Sequence, residues 1–287
     1  MNSYDDLLNN NPLTKEEYAA GKQAERDDLY TLSDNTALEV AGDGGQFRQY
    51  LDLQSRCDRY SAVNTLLILA QKPEATRLGD FDHWKDRGGS VKGQTGIAIL
   101  EPHQYRKEDG SPGVGYNIKK VFDISQVNTS KMKPSKPAPT YTDRQILSAL
   151  ISKAPVKITG VDSLPGNAGA QTNPETGEIS VRKGMEFSDT FRSVAQELAA
   201  ADLTTGPDTQ ADPSFSAYCA SYLLCKKYGV DTKGFDFKDA PGVFEGMDAQ
   251  EVKGELSEIR DVANDISGRM ARQLDAVSKP PKNQDAR

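Results

Sequence analysis

Two kinds of side chain that bind single-stranded nucleic acid are concentrated between residues 44 and 127. The basic members are Arg56, Arg59, Arg77, Lys85, Arg87, Lys92, Lys119 and Lys120. The aromatic members are Tyr60, Trp84, Tyr105 and Tyr116. Cations along a groove neutralise phosphates, and each base stacked on an aromatic face contributes about 1–3 kcal/mol. The segment therefore has both features that binding single strands without strict sequence preference needs.

Each of these residues also has a purely structural interpretation. A lysine or arginine is commonly no more than a solvated surface charge, and Trp84, the only tryptophan, is of a type often found in cores. Asn64 is a further candidate for DNA binding, but within a helical run it also fits a buried hydrogen-bonding role. Both interpretations stay open at the level of sequence.

A second stretch has the form of a catalytic helix without its metal ligands. The segment "SVAQELAAADL", Ser193 to Leu203, resembles the active helix of a zinc metalloprotease from which the metal-binding side chains have been removed. Its apolar residues predict a buried, central helix. Glu197 would then be a partly buried carboxylate that is either hydrogen-bonded or has a pKa raised by desolvation.

The composition is that of an ordinary globular protein. Of the 287 residues, 36% are hydrophobic and 27% are charged, which favours two modest domains. No apolar run approaches the roughly 20 residues that span a bilayer, and the acidic start "MNSYDDLLNNN" is unlike a signal peptide. We therefore expect a cytoplasmic protein without a membrane partner. Cys57, Cys219 and Cys225 form no disulfide framework, so we expect reduced and mostly buried thiols.

The net charge of −7 is unevenly distributed along the chain. Residues 1–43 carry 3 basic and 10 acidic side chains (−7), residues 44–136 carry 15 and 10 (+5), and residues 137–287 carry 17 and 22 (−5). A cationic segment between two anionic ones favours a nucleic-acid partner. A chance fluctuation of charge along the sequence explains the same numbers.

Hydrophobic periodicity predicts helices followed by a β-hairpin in the first half. The run "FRQYLDLQSRCDRYSAVNTLLILAQ" predicts one or two helices, and "TGIAIL" and "YNIKKVFDISQV" predict two strands on either side of a polar turn. Residues 1–43 are predicted to be an acidic, mobile arm. The proline- and lysine-rich residues 128–140 are predicted to be a linker.

The second half predicts an α+β unit. "DRQILSALISKAPVKITGVDS" indicates a helix and a strand, "AGAQTNPETGEISVRKG" a hairpin, and "FSDTFRSVAQELAAADL" a helix capped by Ser188 or Asp189. A long amphipathic helix follows, which we expect to pack on this half of the chain rather than to form a dimer. The tail, residues 278–287, is predicted to be disordered.

The segment "RYSAVNTLLILAQKPEATRLGDFDHWKDRGGSVKGQTGIAILEP" is similar to the amino-terminal, single-stranded-DNA-binding domain of ArdC-type antirestriction proteins and of their LtrC-like relatives on conjugative elements. The order and spacing of the shared features carry the resemblance over roughly eighty residues. These features are Tyr60-Ser61, Asn64, Pro73, Ala75-Thr76, Trp84, Gly89, Lys92-Gly93 and Glu101-Pro102.

The resemblance implies a helix-plus-hairpin domain at residues 44–127 that binds single-stranded DNA, followed at 141–277 by a zincin-like α+β domain. In zincins two histidines four residues apart bind zinc, the glutamate between them acts as general base, and a later helix supplies the third ligand. Gln196 and Ala200 stand at the histidine positions around Glu197, and Tyr218 stands where the family has an acidic ligand. The resemblance thus implies a pseudo-metallopeptidase without zinc or another cofactor.

The function implied is that of an antirestriction-like accessory protein of a mobile or conjugative element. Its expected partner is single-stranded DNA, with a host or conjugation protein as a second class of partner. Two alternatives remain. In the first, the chain is a protein-binding module of the conjugation machinery. In the second, it is an active metallopeptidase with an unrecognised site, for example one using Cys219, Cys225 and either Glu197 or Asp202.

Overall fold

Helices form most of the chain, and two small sheets lie among them in an α+β fold. The computed structural model describes residues 14–107, 109–134, 138–205 and 212–278. The helices are α1 (Lys15–Gly42), α2 (Gly44–Arg56), α3 (Ala62–Gln71), α4 (Phe81–Asp86), α5 (Asp143–Ile151), α6 (Phe187–Thr205), α7 (Ser214–Tyr228), α8 (Ala240–Val243) and α9 (Ala249–Ser278). The strands are β1 (Leu78–Asp80), β2 (Ile97–Arg106), β3 (Pro112–Asp123), β4 (Ile158–Val161), β5 (Ala170–Thr172) and β6 (Ile179–Arg182).

The first sheet has the antiparallel order β1-β3-β2. Strands β2 and β3 form the predicted hairpin, paired from Ile97 opposite Val121 to Arg106 opposite Pro112. The hairpin is longer than the sequence pattern indicated, because the alternation of apolar residues ends where the strands leave the body of the protein. Residues 97–100 of β2 are buried, whereas residues 101–106 are exposed on both faces.

Helix α3 closes the outer edge of β2 with two side-chain amides. The amide of Asn64 donates to the carbonyl of Leu100 and accepts from its N–H, both at 2.9 Å. Gln71 makes the same pair of bonds with Ala98, at 2.9 and 2.8 Å. Each amide thus replaces the backbone partner that a further strand would provide, so the otherwise open edge is satisfied.

The prediction of a mobile arm over residues 1–43 is wrong for the part that the structure describes. Residues 15–42 form α1, which starts with a reciprocal capping box between Thr14 and Glu17. The buried face carries Leu29, Ser33, Thr36, Ala37, Val40 and Ala41. Small and hydroxyl-bearing residues on this face give little apolar contrast, and for this reason the sequence pattern did not reveal the helix.

The second sheet and its helices follow the predicted order. Strand β4 pairs parallel to β6, and β5 pairs antiparallel to β6 in the expected hairpin. The cap predicted for α6 is wrong, because the helix begins earlier, at Phe187, and places Ser188 and Asp189 inside its first turn. Asp189 instead forms an ion pair with Arg192 at 2.6 Å.

One buried cluster joins residues from both halves of the chain. It contains Phe47 and Leu51 of α2, Phe191 and Leu198 of α6, and Leu256 of α9, among others. Helix α9 buries a stripe formed by Leu256, Ile259, Val262, Ile266, Met270 and Leu274. It packs against α5, α6 and α7 as expected, but also against α1 and α3. The domain boundaries stay predictions.

The remaining sequence expectations concern thiols, the tail and membranes. Cys57, Cys219 and Cys225 are free and buried, as predicted. The predicted disordered tail falls outside the described residues, except for Ser278, where α9 ends. Among the helices described, none is both long and apolar enough to cross a membrane.

The amide pairing between α3 and β2 generates a stability prediction. Asn64→Asp preserves shape, but at pH 7 the new carboxylate offers no donor to the Leu100 carbonyl. We expect the free energy of unfolding to fall by about 2–3 kcal/mol at pH 7. Folding then favours the protonated, donating carboxyl and raises its pKa, so the deficit relative to wild type shrinks as the pH falls towards 5.

Urea denaturation of wild type and variants between pH 5 and pH 8 measures this effect. Asn64→Ala is the matched control, because it removes the same bonds and introduces no titrating group. Its deficit should not vary with pH. A deficit of Asn64→Asp that is equally constant would contradict the pairing.

Candidate functional site

Five of the residues predicted to bind DNA line one groove at the outer edge of β1. The groove has a volume of about 320 Å³ and lies between the turn from α2 to α3, strand β1 and helix α4. Its lining comprises Arg56, Cys57, Asp58, Arg59, Tyr60, Thr76, Arg77, Leu78, His83 and Arg87. The four guanidinium groups of Arg56, Arg59, Arg77 and Arg87 define this arginine groove.

A buried carboxylate holds the segment that carries Arg77. Asp123 accepts hydrogen bonds from the backbone N–H of Thr76 at 2.7 Å, of Arg77 at 2.9 Å and of Ser125 at 2.9 Å. Burial opposes ionisation of Asp123, but the N–H donors of Ser125, Arg77 and Thr76 outweigh it and hold the pKa of the carboxyl below its usual value. The backbone at Arg77 is therefore fixed against the end of β3.

Trp84 supports Arg77 from the interior and is not a platform for bases. Its side chain is completely buried, and its indole N–H donates to the Phe122 carbonyl at 2.9 Å. The guanidinium of Arg77 lies 5.4 Å from the ring centroid, which is a cation–π contact. The prediction that Trp84 contacts DNA is wrong, because no face of the ring reaches the surface.

The positive charge of the arginine groove is not cancelled by neighbouring carboxylates. None of its four arginines forms an ion pair with any residue in the part of the chain that the structure describes. Arg56 donates through Nε to the Ala75 carbonyl at 3.2 Å, a neutral acceptor. The one acidic side chain in the lining, Asp58, is paired with Lys227 of α7 at 2.7 Å.

Tyr60 and His83 complete the lining. Tyr60 is half-buried, and burial raises the pKa of its phenol, so the ring is neutral and its hydroxyl protonated at physiological pH. His83 is exposed at the start of α4, where its backbone N–H is capped by Asp80 at 2.8 Å. The sequence analysis missed His83 as a groove residue. Its position four residues before Arg87, which directly follows the same short helix, was the available signal.

The other predicted DNA-binding residues lie outside the groove. Lys85 and Lys92 are exposed, and Lys120 is 4.0 Å from Glu25. Hydrogen bonds to Glu101 and Asp80 raise the pKa of Lys119 to about 12. The ammonium group of Lys119 is thus already paired with these two carboxylates.

Asn64 is also wrongly predicted as a DNA-binding residue. Its side chain is buried, and both ends of its amide are used by Leu100. An amide that is already satisfied inside the protein has no group left for a base or a phosphate.

The second predicted site centres on Glu197 of α6. One carboxylate oxygen accepts from both the backbone N–H and the hydroxyl of Thr172, at 2.9 and 2.6 Å. Thr172 ends β5, the edge strand of the second sheet. The interpretation of Glu197 as a partly buried, hydrogen-bonded carboxylate is confirmed. It joins the helix to the sheet.

The side chains around Glu197 do not form a zinc site. Ala200 has no donor atom, and Gln196 offers only an amide. The hydroxyl of Tyr218 accepts from the backbone N–H of Asp236 at 2.8 Å, and its ring lies 4.8 Å from that of Phe235. No group of three or more His, Cys, Asp or Glu side chains suited to a metal ion occurs within the described ranges.

The two cysteines of α7 offer no substitute ligands in their ordinary state. Burial raises the pKa of Cys225 to about 12 and raises that of Cys219 well above its usual value. Neither thiol belongs to a group of three or more His, Cys, Asp or Glu side chains suited to a metal ion within the described residues. The side chains at the positions that the sequence analysis compared with zincin ligands therefore do not fit zinc.

Comparison with known proteins identifies the fold. No protein-family model and no curated protein matches the sequence. The metal-free crystal structure of the antirestriction protein ArdC from plasmid R388 is similar, with 16% identity, a TM-score of 0.50, and coverage of 74% of this chain and 86% of that chain. The Mn(II)-bound structure of the same protein gives 16% identity, a TM-score of 0.49 and coverage of 74% and 85%. The chain therefore has an ArdC-like fold.

The contact between Glu197 and Thr172 generates a prediction about coupling. If the carboxylate of Glu197 has a structural role, its hydrogen bonds should contribute a coupling free energy in a double-mutant cycle with Thr172. We expect Glu197→Ala and Thr172→Val to be coupled by about 1–3 kcal/mol in the free energy of unfolding, as for hydrogen bonds to charged groups. Urea denaturation of the two single variants and the double variant measures the coupling.

Glu197→Gln provides the control for this cycle. The amide oxygen of glutamine still accepts both bonds from Thr172, so this variant should retain most of the stability. Additive effects of Glu197→Ala and Thr172→Val would show that the bond contributes nothing in solution.

Proposed function

We propose that the protein binds single-stranded DNA through the arginine groove. The observation that carries the proposal is the convergence of Arg56, Arg59, Arg77 and Arg87 on one concave surface without a carboxylate partner in the described chain. Guanidinium groups in such a setting bind phosphates with charge-assisted, often bidentate hydrogen bonds. A polyanion that releases its counterions on binding is the natural ligand.

The shape of the groove favours a single strand over a duplex. Its walls are the α2–α3 turn on one side and helix α4 on the other, and its volume of about 320 Å³ admits a sugar-phosphate segment but not a double helix. Tyr60 lies among the arginines and offers a neutral ring to a base. Phosphate contacts combined with a stacking face are the usual arrangement for binding without sequence preference.

We further propose an antirestriction-like accessory role in the transfer of a mobile or conjugative element. The similar fold of ArdC, an antirestriction protein from plasmid R388, supports this role, as do the sequence features shared with ArdC-type and LtrC-like proteins. An antirestriction protein must act on either the DNA or the restriction enzyme. The arginine groove favours the DNA, because four guanidinium groups without carboxylate partners in the described chain complement a phosphate backbone.

The zincin-like half acts, in this proposal, as a scaffold and not as a peptidase. A catalytic zinc requires about three protein ligands and an open position for water. Gln196, Ala200 and Tyr218 do not supply them, and Glu197 is engaged by Thr172.

The proposed DNA binding predicts a specific change in salt dependence. In the double variant Arg59→Ala/Arg87→Ala, the slope of log K against log salt should become less steep by about 0.7 for each phosphate that the variant no longer neutralises. Fluorescence anisotropy of a labelled oligo(dT) with the full chain, over a series of NaCl concentrations, measures the slope. Lys85→Ala/Lys92→Ala is the control, since it removes equal charge outside the groove.

The same titration with a duplex of equal length tests the preference for single strands. Equal affinity for both, or equal losses of affinity in the two double variants, would remove the arginine groove as the binding site. Salt-independent binding would argue for a protein-binding module instead.

The absence of a fitting donor set predicts the metal content. We expect no stoichiometric zinc after purification, no peptidase activity, and no change in the thermal midpoint on adding a chelator, because no folding energy is coupled to a metal. The triple variant Gln196→His/Ala200→His/Tyr218→Glu should gain zinc if these positions correspond to the ligands of zincins. The proposal would be contradicted if elemental analysis found one tightly held zinc per unmodified chain and if Glu197→Gln abolished a measurable proteolytic activity. The protein would then be an active metallopeptidase.

A further inference from the structure

The outer part of the β2–β3 hairpin projects from the protein and carries exposed rings. Residues 101–106 of β2 are exposed on both faces, and no helix covers this part of the strand in the described structure. Exposed rings on such an arm contribute nothing to the core. Tyr105 is 47% exposed and Tyr116 on the other strand is 41% exposed, so the arm offers aromatic surface to a ligand.

The two faces of the arm are built differently. His103 lies opposite Gly115 and Tyr105 opposite Gly113, so all four residues belong to one face. A Cβ atom on Gly113 would lie 2.6 Å from the Tyr105 ring, and one on Gly115 would lie 2.7 Å from the His103 ring. Both rings therefore lie flat across the neighbouring strand, which requires glycine at both positions. Their centroids are 6.3 Å apart, their planes are inclined by 43°, and both side chains are exposed.

This ring face continues into the arginine groove. Leu78 and Asp80 of β1 lie on the same side of the sheet as Lys119, because they pair opposite Asp123 and Val121 of β3. Leu78 lines the groove, and Asp80 contacts Lys119 at 3.0 Å. Lys119 in turn contacts Glu101 at 2.7 Å, and Glu101 is two residues from His103. A strand that leaves the groove at Leu78 and follows this face passes Asp80, Lys119 and Glu101 before it reaches the rings.

The charges along the path fix the orientation of such a strand. Asp80 and Glu101 share the single charge of Lys119, so this stretch repels phosphates. The carboxylates can accept hydrogen bonds from the amino groups of bases. The bases must then face the sheet and the phosphates must face solvent, which is the orientation that stacking on His103 and Tyr105 needs.

We propose that His103 and Tyr105 form a second subsite, a stacking platform for the bases of a DNA strand whose phosphates occupy the arginine groove. The inference rests on the proposed function, since the groove anchors the strand. We infer that the ligands are nucleobases because the two rings are adjacent and exposed, and because they lie on the face of the sheet that leads to the cationic groove. Arg106 and Lys107 at the end of the arm add positive charge beyond the platform.

Tyr105→Leu tests the platform, and Tyr116→Leu is its matched control on the opposite face of the same arm. Leucine retains apolar cover but has no ring. Tyr105→Leu should weaken binding of labelled oligo(dT) to the full chain by about tenfold, as for the loss of one stacked base, without changing the salt slope. Tyr116→Leu should bind like wild type. With an abasic oligonucleotide of the same length, wild type and Tyr105→Leu should bind equally.

Stacking over a glycine can also stabilise the strand pairing itself, so folding needs a separate measurement. Tyr105→Trp keeps a ring over Gly113 and should bind at least as well as wild type. Its fluorescence should be quenched by oligo(dT) but not by the abasic oligonucleotide, whereas emission from the buried Trp84 of wild type should not respond. This signal reports stacking directly, whatever the stability of Tyr105→Leu.

The outcomes separate the platform from the groove. Binding that depends on Arg59 and Arg87 but is equal in Tyr105→Leu, Tyr116→Leu and wild type overturns the platform and leaves the groove intact. An equal loss of affinity in Tyr105→Leu and Tyr116→Leu, or the same loss with abasic DNA, also overturns it. If wild type fails to bind single strands, the proposed function and this inference fall together.

Discussion

The pairing of α3 with the edge of β2 is the constraint on which the first half of the chain depends. Asn64 and Gln71 lie two helical turns apart and satisfy the backbone of Leu100 and Ala98, which are two residues apart on one strand edge. This arrangement fixes the position of α3 against the sheet, and with it the turn from α2 that carries Arg56 and Arg59. It also determines where the β2–β3 hairpin leaves the body of the protein. The last residue held by an amide is Leu100, and exposure on both faces begins at Glu101.

Buried polar groups position the exposed cationic ones. Asp123 directs its oxygens to backbone donors at Thr76, Arg77 and Ser125, and it forms no ion pair with the guanidinium of Arg77 in the described chain. Trp84 contributes its ring face to Arg77 and its N–H to the Phe122 carbonyl. Neither contact neutralises the arginine. The interior thus orders the groove without cancelling the charge that a phosphate would meet.

The sequence predicts elements better than it predicts the roles of single residues. The hairpin, the two helices before it and the order of the second half follow from periodicity, because their faces are strongly apolar. Helix α1 does not follow, because its buried face includes Ser33 and Thr36. Trp84 and Asn64 are residue types that also occur on DNA-binding surfaces. Their roles depend on burial, which the sequence pattern does not reveal, because their hydrogen-bond partners Phe122 and Leu100 are distant in sequence. The glycines under His103 and Tyr105 acquire their meaning only from the strand register.

The second half of the chain takes part in the electrostatics of the groove. Asp58 lies in the α2–α3 turn among the arginines, where a free carboxylate would offset one of them. Lys227 of α7 pairs with Asp58 at 2.7 Å, and Asn264 of α9 donates to the backbone carbonyl of the same residue at 3.1 Å. Nearby, the Tyr222 hydroxyl donates to Asp52 at 2.7 Å. Helices α7 and α9 therefore hold the turn and neutralise its carboxylate. The contacts that do this are packing, a hydrogen bond and an ion pair, so this role of the second half requires no metal.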